Sequence, residues 1–173
     1  MKLELKSIKI AAFASEETHC YEAVVYLDGK AWARVGNDGH GGPDRVDPVK
    51  GPMNSPAFAA ELKIVNAELA LSDEGQKFLA EFPRDFGAFG AGGLEWWCGN
   101  RITEHLLTKD LRKAMKRSGL YAEDGKIYET GFKGVRKLTD EHWTRLKSKY
   151  PEREWLNDMP FDKALTIYTG MSA

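Results

Sequence analysis

The amino-acid sequence predicts an α+β fold: an antiparallel three-stranded meander at the N-terminus, about four helices, and a second β-hairpin. Three observations carry that expectation. Asp28-Gly29 and Asp124-Gly125 each separate two short runs rich in β-branched and aromatic residues, and Asp-Gly tolerates the positive φ that a type I′ turn demands at both central positions. Between the hairpins, apolar residues recur at helical spacing over 58–69 and 103–115. The chain has 173 residues, 42% of them apolar, which is the size of one domain able to bury its own core; a single domain over 1–173 is expected.

In residues 2–13 the apolar positions are Leu3, Leu5, Ile8, Ile10 and Ala12, so the two-residue phase slips near Ser7, as it does across a bulge. THCYEAVVYL and KAWARVGN, on either side of the turn, complete the meander. A Gly/Pro stretch at about 38–55, DGHGGPDRVDPVKGPMNSP, is predicted to hold no regular structure; connectors that long are uncommon in compact domains and often functional. Ser55 caps, and Pro56 starts, a helix with Phe58, Leu62, Val65 and Leu69 on one face. A short helix is expected over 73–82, then a glycine-aromatic loop, FGAFGAGGLEWW, leading into a helix over about 95–118. Thr103, Leu107, Leu111 and Ala114/Met115 form its apolar stripe, and Gly119 stops it. LYAE-DG-KIYE is the second hairpin. Thr139 opens a helix that Pro151 ends, and WLNDMPFDKALTIY reads as a turn and a short helix.

No run of 18 apolar residues exists, and the N-terminus alternates charged and aliphatic residues instead of forming the apolar core of a signal peptide. No membrane role and a cytoplasmic location are therefore expected. Cys20 and Cys98 are too few for a disulfide framework and read as reduced thiols. The net charge of −1 hides an asymmetry: residues 1–100 hold 10 Lys/Arg against 15 Asp/Glu, residues 101–149 hold 13 against 7, and the tail holds 2 against 4. A segment of that sign can meet an anionic partner or simply keep a helix solvated.

Two candidate sites follow. Asn37, Asp38, Gly39, His40, Gly41 and Gly42 stand directly after a strand, where consecutive glycines can aim several backbone N–H groups at one anion and His40 adds a titratable donor. The stretch matches neither GxGxxG nor a P-loop. Lys109, Arg112, Lys113 and Lys116 occupy the polar face of the long helix and offer cations to an anionic partner. A basic helix followed by a hairpin is the order of a winged helix, although a glycine-aromatic loop stands where a tight helical turn would precede it. His19 and Cys20 alternate on a strand and read as structural; His105 lies two turns from Cys98 and His142 on a helix surface. Glu16 with Glu17, and Asp44 with Asp47, could pair as carboxylates but read as solvated turn residues. Phe82, Phe86, Phe89, Trp96 and Trp97 read as core or lid. With no HExxH, CxxC or calcium-loop spacing, neither metal nor other cofactor is expected.

The segments ASEETHCYEAVVYLDGKAWARVGNDGHGG and WLNDMPFDKALTIY resemble small proteins of tailed bacteriophages and prophages, the two ends better than the middle. The resemblance implies an accessory protein acting inside an infected bacterium and assigns no catalytic residue. The first expectation is thus a non-catalytic binding protein acting on a host or defence-system component, with the basic helix and the Gly-His loop as contacts. The alternatives are a nucleic-acid or nucleotide binder using the same surfaces, and a small hydrolase or transferase pairing His40 with Asp38 or Asp44.

Overall fold

The computed structural model describes residues 1–81 and 86–171, with the backbone alone for 86–91 and 171. The fold is α+β, and the chain divides into two compact units, Met1–Ile102 and Thr103–Ala173, where length alone suggests one domain.

Unit 1 is built on a sheet of β1 (Leu3–Ile10), β2 (Tyr21–Leu27), β3 (Lys30–Asn37) and β4 (Arg45–Pro48), ordered β1-β2-β3-β4 with every pair antiparallel. The first hairpin turns as predicted, with φ of 47° at Asp28 and 80° at Gly29. The phase slip near Ser7 is a bulge: the register shifts between Lys6 and Lys9, and Ser7 itself has φ 55°. β4 corrects the sequence reading, which gives the stretch 38–55 no regular structure and the sheet three strands. Val46 pairs with Val35, and Pro48 pairs with Ala33. Because β4 is an edge strand, Pro48 can close it without removing a ladder bond from a second neighbour. One face of the sheet buries Tyr21, Ala23, Val25, Ala33 and Val35.

α1 (Pro56–Leu71) starts as predicted, with the Ser55 hydroxyl accepting from the Phe58 N–H and Pro56 in the first turn. It buries Phe58, Val65 and Leu69, and Phe58 lies against Trp32 of β3 with ring centroids 5.2 Å apart. α2 (Asp73–Glu81) follows. The helix predicted to begin near residue 95 starts earlier: α3 runs Phe86–Arg117 through most of the glycine-aromatic stretch, with a kink at Gly92 (φ −116°, ψ 18°). Beside that kink the buried Asn66 side chain of α1 accepts from the Leu94 N–H at 2.8 Å. A glycine-rich segment costs entropy as a helix, but a buried Leu94 and a satisfied N–H offset that cost.

In unit 2 the last turns of α3 lead into β5 (Gly119–Glu123) and β6 (Lys126–Thr130), whose turn has φ of 49° at Asp124 and 71° at Gly125. α4 (Asp140–Lys149) and α5 (Phe161–Met171) complete it. Directly opposed residues of a hairpin share a face, so two faces separate two cores. Leu120 packs with Leu111, Ala114, Leu156 and Ala164, joined by Ala122 and Ile127. Tyr121, opposite Tyr128, packs with Leu146 and Trp155. Asn157 ties the layers: it accepts from the Leu120 N–H at 2.8 Å and donates to the Met115 and Ser118 carbonyls at 3.0 Å, which with the Leu138 N–H on the Lys116 carbonyl caps the end of α3.

Candidate functional site

The loop from Asn37 to Asp44 is held by its own side chains. Asn37 Oδ1 accepts from the Thr18 hydroxyl (2.6 Å) and the Gly39 N–H (2.8 Å), while Asn37 Nδ2 donates to the Gly42 carbonyl and to Asp44 Oδ1, each at 2.9 Å. The N–H of His40 goes to Asp38 Oδ1 and that of Gly41 to the Thr18 hydroxyl. The Gly39 carbonyl accepts from three successive N–H groups, those of Glu16, Glu17 and Thr18. Gly39 sits at φ 93° with the Ala14 carbonyl where a Cβ would have to be, so the loop closes on the 14–18 segment only because position 39 has no side chain. The N–H groups of residues 39–41, the ones an anion would need, thus have internal acceptors. His40 is exposed, and its Nδ1 lies 3.4 Å from Glu16 Oε2, an ion pair when the ring is protonated. Asp38 engages the His40 backbone and Asp44 turns away, so neither carboxylate meets the imidazole as the catalytic reading requires.

Asp44 points instead at Tyr21, whose hydroxyl donates to its Oδ2. Around them lie Glu95 and Cys98, which no sequence spacing connects to residue 44. Burial, then Cys98 and Asp44, push the Tyr21 hydroxyl well above the usual phenol range. Burial, then the carboxylates of Asp44 and Glu95, push up the fully buried Cys98 thiol. Glu95 is raised by burial and then by Asp44, against a hydrogen bond from the Asp44 backbone. A thiol held protonated is a poor nucleophile. The cluster fastens the loop to the core of unit 1, and its signal in the sequence is weak: only an inward-facing Tyr21 on β2 and a polar Glu95 among apolar neighbours.

The basic face is where the sequence places it. Lys109, Arg112, Lys113 and Lys116 are exposed on α3, and their spacing puts all four on one stripe opposite the buried Leu111 and Ala114. His105, also exposed, extends the same stripe by one turn. Arg112 lies over the Phe161 ring, 4.8 Å from its centroid. Three of the ten other cations of unit 2 are paired with acids, Arg117 with Glu129, Lys147 with Asp158 and Lys163 with Glu154. Among the described residues no ion pair engages the four of the stripe. Unit 2 as a whole holds 14 Lys/Arg against 11 Asp/Glu, and unit 1 holds 11 against 15.

On the other face of the hairpin, cations lie on aromatic rings. Arg153 sits between Tyr121 (3.9 Å to the centroid) and Tyr150 (4.1 Å), with Trp155 edge-on to both rings and Tyr128 stacked on Tyr121 at 5.3 Å. His142, expected merely to decorate a helix surface, is half-buried. Its Nδ1 accepts from the Thr139 N–H while its own N–H reaches the Thr139 hydroxyl, a reciprocal cap at the start of α4. Cys20 precedes β2 and Cys98 is in α3; both are free thiols. Trp96 lies against Phe78 and Trp97 is buried, as core residues are. Phe82 lies outside the described residues, as do the side chains of Phe86 and Phe89.

Among the described residues no group of three or more His, Cys, Asp or Glu is placed to hold a metal, and no helix is long and apolar enough to cross a membrane. No family model, no curated protein and no solved structure matches the chain.

Proposed function

We propose that this is a binding protein and that the exposed α3 stripe of Lys109, Arg112, Lys113 and Lys116 is its contact with an anionic partner, a nucleic-acid backbone. The observation that carries the reading is the one just given: these cations share one solvent-facing stripe and stay out of the ion pairs formed around them. Three of the four are lysines, compact charges on flexible stems that suit phosphates without demanding a base sequence. Neutralising three or four phosphates releases their counterions, so raising salt from about 50 to 200 mM should weaken duplex binding roughly 40- to 150-fold and single-strand binding roughly 20- to 50-fold. Fluorescence anisotropy with labelled duplex and single-stranded oligonucleotides at the two salt concentrations measures this. The triple variant Lys109→Glu, Lys113→Glu, Lys116→Glu is expected to abolish binding with its fold intact; unchanged affinity would refute the reading.

A second reading rests on Arg112 and Phe161. An arginine stacked on a half-buried aromatic ring is a residue pairing enriched at protein interfaces. In the phage context that the end segments imply, the same surface would engage an acidic face of a host or defence-system protein. A pull-down from infected cells separates the two: a stoichiometric protein partner lost in Arg112→Ala supports the second, and nucleic acid released by salt supports the first.

A further inference from the structure

We propose that the open face of the unit 1 sheet carries a separate site for a phosphate monoester, in a basin lined by Ser7, Lys9, Glu22, Val24, Arg34 and Arg45. The basin has a volume of about 230 Å³, several times the share of one water in the liquid. Register builds it. Lys9 stands opposite Glu22, Glu22 opposite Gly36, and Gly36 opposite Arg45, so one row crosses all four strands. Gly36 leaves a notch in that row, and the Arg45 guanidinium folds over it, 3.4 Å from where a Cβ would stand. Glu22 and Asp47 hold Arg45 there, at 3.8 and 3.3 Å. Glu22 pairs with Arg45, whereas Lys9 takes part in no ion pair among the described residues; nor does Arg34, which stands in the next row between Val24 of β2 and Asp47 of β4. The β1 bulge completes the rim: Ser7, at a φ that side chains seldom adopt, lies on the lining together with Lys9.

Three cations stand against two carboxylates, Glu22 on the lining and Asp47 beside it, opposite Arg34 and 3.3 Å from Arg45; the surplus of positive charge suits an anion such as a phosphate monoester, which carries about −1.5 to −2 near neutrality. Arg34 and Arg45 supply planar forks of donors that match phosphate oxygens, and Val24 gives an apolar wall for the organic part. The site is independent of the α3 stripe.

The test is titration of the full chain with phenyl phosphate, followed by calorimetry and by amide chemical shifts. Saturable binding with shifts confined to Ser7, Lys9, Arg34, Gly36 and their neighbours is expected. Lys9→Gln with Arg34→Gln should weaken it at least tenfold, Glu22→Gln should tighten it, and the triple glutamate variant of the α3 stripe should leave it unchanged. The shift map on the unaltered chain decides the question even where a variant misfolds. Absence of saturable binding, shifts centred elsewhere, or full affinity in the folded Lys9/Arg34 variant would overturn the proposal.

Discussion

Asn37 uses its whole hydrogen-bonding capacity, two bonds accepted and two donated, on groups drawn from 18, 39, 42 and 44. Replacing it by Asp keeps the shape and turns the two donors into acceptors facing a carbonyl and a carboxylate. Asn37→Asp is therefore expected to lower stability by about 2–3 kcal/mol, read as a shift of the urea midpoint; a loss below about 0.5 kcal/mol would mean that another residue organises the loop. Arg153 poses a similar question with a different chemistry. Its guanidinium fills the gap between Tyr121 and Tyr150, so Arg153→Ala should cost about 1–2 kcal/mol through lost stacking. Lysine at 153 keeps the charge but not the planar fork and should recover only part of it. The four cations of α3 were legible in the sequence because helical spacing is local. The Asn37 network was not, because Thr18 lies in the connection from β1 to β2 and Asp44 in that from β3 to β4, and only the folded register brings them to one amide.

The same distinction separates the elements. Both Asp-Gly hairpins could be read directly, since a two-residue turn fixes its own register. β4 could not: RVDP has too few residues to announce a strand, and what makes it one is the unpaired edge of β3. The first turns of α3 were hidden by glycines whose intrinsic preference is against helix, overridden by the burial of Leu94, Trp97 and Cys98. Packing at the start of β5 leads to a sharper prediction. A Cβ at Gly119 would lie 2.6 Å from the Trp155 ring and 3.0 Å from the Trp143 ring, two rigid surfaces already set edge to face. Gly119→Ala should then cost about 1–3 kcal/mol by overpacking. Pairing it with Trp143→Leu, which opens space on one side, should cost less than the two changes summed; simple additivity in chemical denaturation would show that the rings yield freely.

At the scale of the whole molecule, carboxylates of opposite tendency shape the dependence of stability on pH. Glu129 is held below its usual 4.5 by its bond to Arg117, helped by the Ser118 hydroxyl and the Arg117 charge, and Glu4 is held low by Lys6 and Lys2. A lowered folded pKa means that stability is present above about 4.5 and is lost as pH falls through the folded value. Glu95 is raised above 4.5, by burial first and then by the charge of Asp44. Its folded form binds the proton more tightly than the unfolded chain does, so its contribution is full below 4.5 and is lost as pH rises through the folded value. One set removes stability on the acid side of 4.5 and the other on the alkaline side, so the two limbs oppose each other on either side of that value. Glu129→Gln should flatten the acid limb, leaving less to lose between about pH 5 and pH 3. Glu95→Gln should flatten the alkaline limb and raise the thermal midpoint at pH 7 by a few degrees while leaving it nearly unchanged at pH 4. Midpoints that climb steadily from pH 4 to about pH 8 in the unaltered chain would contradict this account, because a carboxyl crowded by Asp44 inside unit 1 has to weaken the fold once it ionises.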